Sequence, residues 1–208
     1  MLEAQHGHFI QLSAVHVDTP GDMKKHNGLT LIELLVTVVI LGVMASIAVP
    51  NFGTFVRSNQ RSAIYNEIAG AINLARLEAI KRSRVVALCA SSGKNQTGCQ
   101  TTAGANWNDG WLAFVDQDGN GSFDAGETIL KRAPAGANGI TITTDLGALI
   151  SLAPRGRLRN QGTVLICDNG DNETAMALNL WVTGLGRIAT DSNDDGIVED
   201  ISGTNVSC

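Results

Sequence analysis

The sequence has no histidine after His26, and it contains none of the short motifs that mark common enzymes. A Gly-x-Ser-x-Gly turn, a phosphate-binding P-loop and a Cys-x-x-Cys pair are all missing. Histidine is the side chain best suited to acid–base chemistry near neutral pH. His6, His8 and His16 lie ahead of the segment expected to begin the mature protein, which disfavours a metal site on them. The sequence therefore predicts a protein that is not an enzyme.

The chain also has no excess of basic residues, because 15 lysines and arginines are set against 20 aspartates and glutamates. Two of these bases and three of these acids precede Leu29, so residues 29–208 hold 13 basic and 17 acidic side chains, a net charge of −4. A surface that binds nucleic acid along its whole length needs a positive balance. The composition argues against such a surface, although not against a local basic patch.

One stretch, Leu29–Val49, is long and apolar enough to span a membrane. At about 1.5 Å per residue its 21 residues reach about 31 Å, the thickness of the hydrocarbon core of a bilayer. Its one charged residue is Glu33, and a carboxylate at the bilayer centre costs roughly 2.5–3.5 kcal/mol, so a partner is expected. Lys24 and Lys25 precede the stretch and should stay in the cytoplasm, which puts the rest of the chain on the far side.

The residues from Lys24 to Glu33 resemble the class III signal of type IV prepilins. The resemblance implies that prepilin peptidase cuts between Gly28 and Leu29, that the new N-terminus at Leu29 is methylated, and that Glu33 is the fifth mature residue. It also implies assembly with other major and minor pilins through the N-terminal helix. In that assembly Glu33 pairs with the terminal amine of a neighbouring subunit. The sequence departs from the family at Leu29, because the family usually has Phe at this position.

An ordinary secretory signal peptide is the alternative, with cleavage near the small residues 45–48. Glu33 argues against it, because a simple export signal has no use for an acid in its apolar core. Gly42 and Pro50 fall on positions 14 and 22 counted from Leu29, where pilins tolerate helix-loosening residues.

The leader, residues 1–28, is long for a prepilin. Residues 1–22 have neither a basic start nor an apolar core, whereas residues 23–28 alone would form a typical short leader. We therefore expect translation to begin at Met23, with residues 1–22 a mis-annotated extension; an extended leader is the alternative. Either way residues 1–28 are excluded from the mature fold.

Four cysteines lie in the part of the chain expected to be exported: Cys89, Cys99, Cys167 and Cys208. An even number in an oxidising compartment favours disulfides, and four cysteines allow three pairings. The turn-like stretch 91–98 favours a local bridge between Cys89 and Cys99. Cys167 is then left to pair with Cys208, which would fix the C-terminus to the domain.

Residues 29–84 are predicted to form one long helix, apolar all round up to Val49 and amphipathic beyond Pro50. Its second half repeats apolar residues at near-helical spacing: Phe52, Phe55, Val56, Ala63, Ile64, Ile68, Ile72, Ala75 and Ala79. One face should therefore pack on a C-terminal domain, residues 85–208.

That domain is predicted to be β-rich, because short apolar runs alternate with turns and the chain holds 23 glycines. Strands are predicted at 85–89, 110–115, 128–132, 140–144, 158–167, 175–182 and 186–189. The second and third should pair around a loop, and the sheet should be antiparallel. The predicted fold class is α+β, a long N-terminal helix packed on an antiparallel β domain.

The β domain resembles the GspH/FimT family of minor pilins. The stretches that carry the resemblance are 86–89, 107–116, Glu127 with 129–130, 155–157, 163–167 and 186–188. With the N-terminal signal, the likeness covers residues 24 to about 190. It implies the type IV pilin fold and a low-copy subunit that primes filament assembly or sits near the tip.

Two acidic loops have the spacing of calcium ligands. In residues 116–127, oxygen-bearing side chains stand at positions 1, 3, 5, 9 and 12, with glycine at position 6. These side chains are Asp116, Asp118, Asn120, Asp124 and Glu127. The flanks are predicted strands rather than the helices of an EF-hand, and Asp, Asn and Gly also form turns without metal. Residues 191–200 repeat the pattern but have Ser202 at position 12.

Three arginines alternate along the chain at Arg155, Arg157 and Arg159, and on a strand they would share one face. Such a row could hold DNA phosphates. Members of the family that bind DNA use a late Gly-Arg-x-Arg, which this sequence matches only at Gly186-Arg187. A solvated edge or a subunit contact is the alternative.

The sequence thus predicts a minor type IV pilin that serves twitching motility, adhesion or DNA uptake. It should sit in the bacterial inner membrane by a single span, with a periplasmic C-terminal domain, and reach the surface in the assembled pilus. A minor pseudopilin of a type II secretion system is the first alternative. A DNA- or calcium-binding tip module is the second. Apart from calcium, no cofactor is expected.

Overall fold

The structure, a computed structural model, describes residues 28–93, 97–100 and 105–208, with the side chains of residues 47–51 outside that description. The chain divides into two compact units, Met1–Ile47 and Ala48–Cys208. Because the description begins at residue 28, the predicted leader 1–28 lies outside the described residues except for Gly28.

A single helix, α1, runs from Leu31 to Arg82, close to the predicted 29–84. Thr30 begins it, because the Thr30 Oγ1 accepts a 3.3 Å hydrogen bond from the N–H of Glu33. The helix ends where Ser83 turns to a φ of +52° and the N–H of Arg84 reaches back to the carbonyl of Ala79. Within the described residues, no helix combines the length and apolar character needed to cross a membrane. The predicted span 29–49 ends in side chains that are not described.

The second half of α1 packs on the β domain through small and branched residues. Ile68, Ala71, Ile72, Ala75 and Ala79 are at most 1% exposed and follow one helix face. Alanine at three of these positions lets strands lie close to the helix axis.

The β domain contains eight described strands in two antiparallel sheets. These strands are β1 (Val85–Ala90), β2 (Trp111–Asp116), β3 (Thr128–Ala133), β4 (Ile140–Thr144), β5 (Leu149–Leu152), β6 (Gly162–Asp168), β7 (Asp171–Leu180) and β8 (Gly186–Ile188). The first sheet has the order β3-β2-β1-β5, and the second has the order β4-β6-β7-β8. The antiparallel prediction is confirmed, as is the pairing of β2 with β3.

One strand prediction was wrong, and one strand was missed. The predicted strand 158–167 begins only at Gly162, because the N–H groups of Leu158 and Arg159 bond to the carbonyls of Val182 and Ser151, outside the β6 pairing. Leu158 makes just an isolated bridge to Leu152. Strand β5 was not predicted, since its four residues are too few to show alternation.

Three apolar clusters hold these layers together. The largest combines buried residues of α1 and of both sheets, among them Ile72, Leu88 and Ile166. A second lies behind the second sheet and includes Cys167 and Val206. The third lies behind the first sheet around Cys89 and Phe114. The central strands β1, β2 and β6 are therefore covered on both faces, which explains their nearly continuous apolar sequences, whereas β8 is exposed throughout.

Candidate functional site

The predicted cleavage site lies in an open segment just ahead of α1. Gly28 has no neighbouring atom within 4 Å of where a Cβ would lie, and Leu29 is 74% exposed. Glu33 stands in the first helical turn and is exposed. Sequence reasoning missed Thr30, although Thr-x-x-Glu is a recognised signal for a helix start. Its cap fixes the helix start two residues after the expected cut.

The helix that follows exposes a long, mostly apolar surface, in which Glu33 and Thr37 are the polar side chains between Leu31 and Met44. Twelve large apolar side chains between Leu29 and Met44 are each 46–83% exposed. A soluble monomer rarely exposes such a continuous apolar surface, and larger ones mark contacts with membranes or other proteins. Within the described residues, the protein itself leaves this surface uncovered.

Between Phe52 and Ile80, the exposed face of α1 opposite the core is uncharged. Phe52, Phe55, Leu77 and Ile80 on this side are 48–67% exposed. The exposed positions between them at helical spacing are Asn59, Ala63, Asn66, Gly70 and Asn73. A solvent-facing helix normally carries charges on this side, so the composition indicates a face that meets other protein.

The first acidic loop follows β2 and is held by its own hydrogen bonds. Asp116 is 1% exposed and accepts bonds from the N–H groups of Gly119, at 2.7 Å, and Gly121, at 3.0 Å. The two oxygens of Glu127 accept from the N–H groups of Gln117 and Asp124. The loop is therefore a set of side-chain-capped turns that joins β2 to β3.

The same loop brings three of the five predicted calcium ligands together. One carboxylate oxygen each from Asp116, Asp118 and Glu127 lie within 4.8 Å of one another. Asn120 instead donates from its Nδ2 to Asp118, at 3.0 Å, and to Asp124, at 2.7 Å. Asp124 lies outside the three-residue group, so the full predicted set is not assembled.

The second acidic loop has the same construction. Asp191 accepts from the N–H of Gly196 at 2.8 Å, and both oxygens of Glu199 accept from the N–H of Ser192. Hydrogen bonds from Asn205 and from the N–H of Ile197 lower the pKa of Asp195 below its ordinary value. This loop is exposed around Asp195, whereas Glu199 is buried beside the second sheet.

The four predicted DNA-binding arginines are all exposed, but they do not form a row on a strand. Arg155 and Arg157 flank the turn at Gly156, and Arg159 follows the buried Leu158. The premise that the three alternate along a strand was therefore wrong, because a glycine with a φ of +70° turns the chain between them. Arg187 lies on β8 with its guanidinium 5.9 Å from the ring centre of Trp181.

Both predicted disulfides are present. Cys89 is bonded to Cys99, and Cys167 is bonded to Cys208. The second bond holds the C-terminal segment over the outer face of the second sheet, where Val206 is buried.

Comparison with known proteins identifies the family. A family model described as Type II transport protein GspH matches residues 65–186, and a model of the prokaryotic N-terminal methylation motif matches residues 23–49. Pilin-like protein PilA1 of Thermus thermophilus is 37% identical over 100 residues, which are 48% of this chain and 54% of that protein. A probable minor fimbrial protein of Dichelobacter nodosus is 47% identical over 53 residues, 26% of this chain and 33% of that protein.

The alignments thus span about half, or less, of each of these two relatives. A crystal structure of the type IV minor pilin FimU of Pseudomonas aeruginosa matches the fold with a TM-score of 0.51 and 18% identity, covering 65% of this chain and 92% of that one. That likeness concerns the fold alone. Because the GspH match covers more than half of the chain, the protein belongs to the GspH family of minor type IV pilins and pseudopilins.

Proposed function

We propose that the protein is a minor type IV pilin, a structural subunit that primes or caps the assembly of a pilus. In this proposal prepilin peptidase cuts between Gly28 and Leu29, and the new N-terminus is methylated. The match of residues 23–49 to the N-terminal methylation motif supports the processing step. The apolar surface between Leu29 and Met44 is the observation that carries the role in assembly.

The energetics of that surface favour insertion into another apolar environment. Burying a large apolar side chain stabilises by about 1.5–3 kcal/mol, and twelve such side chains are exposed here. Before assembly the inner membrane would cover them, with the β domain in the periplasm. After assembly the helices of other pilins would replace the lipid, and the domain would reach the surface.

Glu33 has a specific part in this proposal. It is the one ionisable side chain in the apolar segment, and its removal from water needs a positive partner. Cleavage before Leu29 creates an amine four residues away, and the amine of a neighbouring subunit offers the same charge. Pairing across subunits would satisfy the acid only when the subunits are in register.

The uncharged outer face of α1 extends the same argument into the second half of the helix. Its apolar members, Phe52, Phe55, Leu77 and Ile80, stay exposed although the opposite face is fully packed. Neighbouring subunits in a filament would cover this face as well. The role proposed here is therefore a matter of packing and involves no catalysis.

A minor pseudopilin of a type II secretion system has the same architecture, and the matching family model is described as Type II transport protein. A deletion strain separates the two roles when sheared surface pili and secreted enzyme activity are both measured. Loss of pili with normal secretion supports the pilin. Loss of secretion with normal pili supports the pseudopilin, and loss of neither contradicts both.

A calcium-binding module is a second candidate, favoured by the grouping of Asp116, Asp118 and Glu127. Calorimetric titration of the full chain with calcium, beside the variant Glu127→Gln, tests it.

DNA binding stays a prediction from the sequence, with Arg155, Arg157, Arg159 and Arg187 as the candidate residues. A gel shift repeated at several salt concentrations tests that binding, because phosphate contacts weaken as salt rises.

A further inference from the structure

Two arginines of α1 share one carboxylate at the end of the second sheet. The Arg57 Nη1 donates a 2.9 Å hydrogen bond to the Oδ1 of Asp168, the last residue of β6. The Arg61 Nη1 lies 3.8 Å from the Oδ2 of the same residue, which is near enough for an ion pair but too far for a hydrogen bond. This Arg57–Arg61 pair therefore carries one positive charge more than its acid can balance.

The hydrogen bonds of Arg61 are also incomplete. Its side chain is 11% exposed, and its Nε and Nη1 are buried without a hydrogen-bond partner among the described residues. A guanidinium carries five N–H donors and accepts none, so only an oxygen from elsewhere can satisfy them. Buried donors are nearly always paired in folded proteins, and an exception needs an explanation.

The acid opposite Asp168 in the second sheet is engaged locally. Asp171, which faces Asp168 in the β6–β7 register, accepts from the N–H of Glu173 and from the Thr174 hydroxyl of its own strand. Within the part of the chain that the structure describes, no second carboxylate lies within 4 Å of Arg57 or Arg61. The extra positive charge is thus not balanced within the described chain.

The pair is open on one side, because the Arg57 side chain is 43% exposed while Asp168 is 13% exposed. An acid arriving from outside would meet Arg57 first and complete a cluster of two arginines and two carboxylates. The planar guanidinium suits this task, since it binds carboxylates through two parallel hydrogen bonds.

We propose that the Arg57–Arg61 pair receives an acidic side chain from a neighbouring pilin subunit and so sets the register of α1 against that subunit. The inference rests on the proposed function, because it needs a filament neighbour. It adds a second, polar contact to the apolar packing of the helix. The occupant is a protein carboxylate, because the excess charge of the pair is positive and Arg57 follows closely in the sequence on the apolar segment through which assembly is proposed.

Carbodiimide cross-linking tests the contact at zero length. The reagent activates a carboxylate, an amine attacks the activated carbon to form an amide, and the carboxylate oxygen leaves in the urea by-product. Guanidinium does not take part, so Arg57→Lys supplies the amine that is needed. Arg132→Lys, an exposed position on β3, is the matched control. Full chains are expressed in the deletion strain, and sheared filaments are treated with the reagent.

We expect an adduct between Arg57→Lys and a second pilin at least several-fold above the wild-type and control levels. Mass spectrometry of the adduct then identifies the partner's acid. An adduct at the control level, or a link to Asp168 alone, overturns the inference. If the wild-type chain is missing from filaments, the proposed function fails; if it is present but Arg57→Lys gives no adduct above the control, the inference alone fails.

If Arg57→Lys is not recovered in filaments, Arg61→Lys replaces it for cross-linking. A charge exchange between the pair and the identified acid tests the contact a second way. Arg57→Glu should lower recovery in filaments several-fold, with both disulfides formed as in the wild type. Changing the identified acid of the partner to arginine should restore recovery. Equal recovery of Arg57→Glu and wild type, or failure of the exchange to restore it, overturns the inference.

Discussion

Gly184 packs so closely on Gly156 that a Cβ on residue 184 would collide with the carbonyl oxygen of residue 156. Both glycines have positive φ, +77° and +70°, and a Cβ on either would lie 2.9–3.3 Å from the stem of Arg76 on α1. The contact joins the loop after β5 to the loop after β7, so it links the two sheets at the helix. This part of the domain depends on backbone fit rather than on large side chains.

Gly184→Ala should therefore destabilise the domain more than positive φ alone would explain. A side chain at positive φ costs about 1–2 kcal/mol, and forcing atoms into a packed site adds about 1–3 kcal/mol. Gly170→Ala is the control, because Gly170 has the same φ of +77° but no atom within 4 Å of a Cβ. Denaturant unfolding of the purified full chain in detergent measures both. Equal losses for the two variants would contradict the close contact.

Asp116 should stabilise its loop even without metal. Asp116→Ala leaves the half-buried N–H groups of Gly119 and Gly121 without their acceptor, and a hydrogen bond to a charged group contributes about 1.5–3 kcal/mol. Asp118→Ala is the control, since Asp118 is exposed and its loss should lower the free energy of unfolding by less than about 1 kcal/mol. Unfolding is measured with a chelator present. An unchanged free energy of unfolding in Asp116→Ala would show that the turn does not depend on the Asp116 carboxylate.

Repeating the wild-type measurement with calcium in place of the chelator tests the metal separately. A ligand that binds only the folded state raises the free energy of unfolding as its concentration rises above its Kd. If calcium does not change the free energy of unfolding of the wild type while Asp116→Ala is still destabilised, the loop is a structural turn that does not bind calcium.

Removal of the two disulfides should have unequal effects. The Cys167–Cys208 bond closes 41 residues and the Cys89–Cys99 bond closes 10. In the chain-entropy account the longer loop is worth about 1 kcal/mol more. Cys208→Ser and Cys167→Ser together should thus lower the free energy of unfolding more than the double serine variant at positions 89 and 99. The reverse order would show that packing behind the first sheet outweighs loop entropy.

Glu33→Ala should lower recovery of the protein in sheared filaments at least about tenfold, because removing one partner of a buried ion pair costs about 3–5 kcal/mol. The disulfides and protease resistance of the β domain should be unchanged. Thr30→Ala removes the helix cap while keeping the acid, so it should be recovered nearly as well as the wild type. Equal losses of recovery for Glu33→Ala and Thr30→Ala would indicate that Glu33 acts by stabilising the start of the helix and not by pairing with a neighbouring subunit.

Gly28→Val should leave an uncut precursor in the membrane, because the residue before the expected cut would gain a branched side chain. Intact mass and N-terminal sequencing distinguish the precursor from a chain that begins at a methylated Leu29. Asn27→Ala, one residue earlier, should be cut normally. A mature N-terminus at Leu29 in Gly28→Val would refute this dependence.

Several features of the protein could be predicted from the sequence because they depend on neighbouring residues. Helix α1 follows from a long run of helix-compatible apolar spacing, and it was placed within two residues at each end. The local bridge Cys89–Cys99 follows from a short turn-like loop. The processing motif is a contiguous string of residue types, and its family match covers the same residues.

Other features could not be predicted, because they join residues far apart in the chain. The division of the strands into two sheets, the short strand β5 and the turn at Gly156 depend on which segments meet, and local periodicity does not record this. Arg57 and Asp168 are 111 residues apart, and the residues flanking either one in the sequence do not predict the ion pair. The sequence by itself determined the helix, the Cys89–Cys99 bridge and the processing motif, since short-range spacing encodes them, and it left Cys167 to pair with Cys208. Only the tertiary structure decided which charges are balanced and which faces stay open, because burial and ion pairing depend on the packing of distant segments.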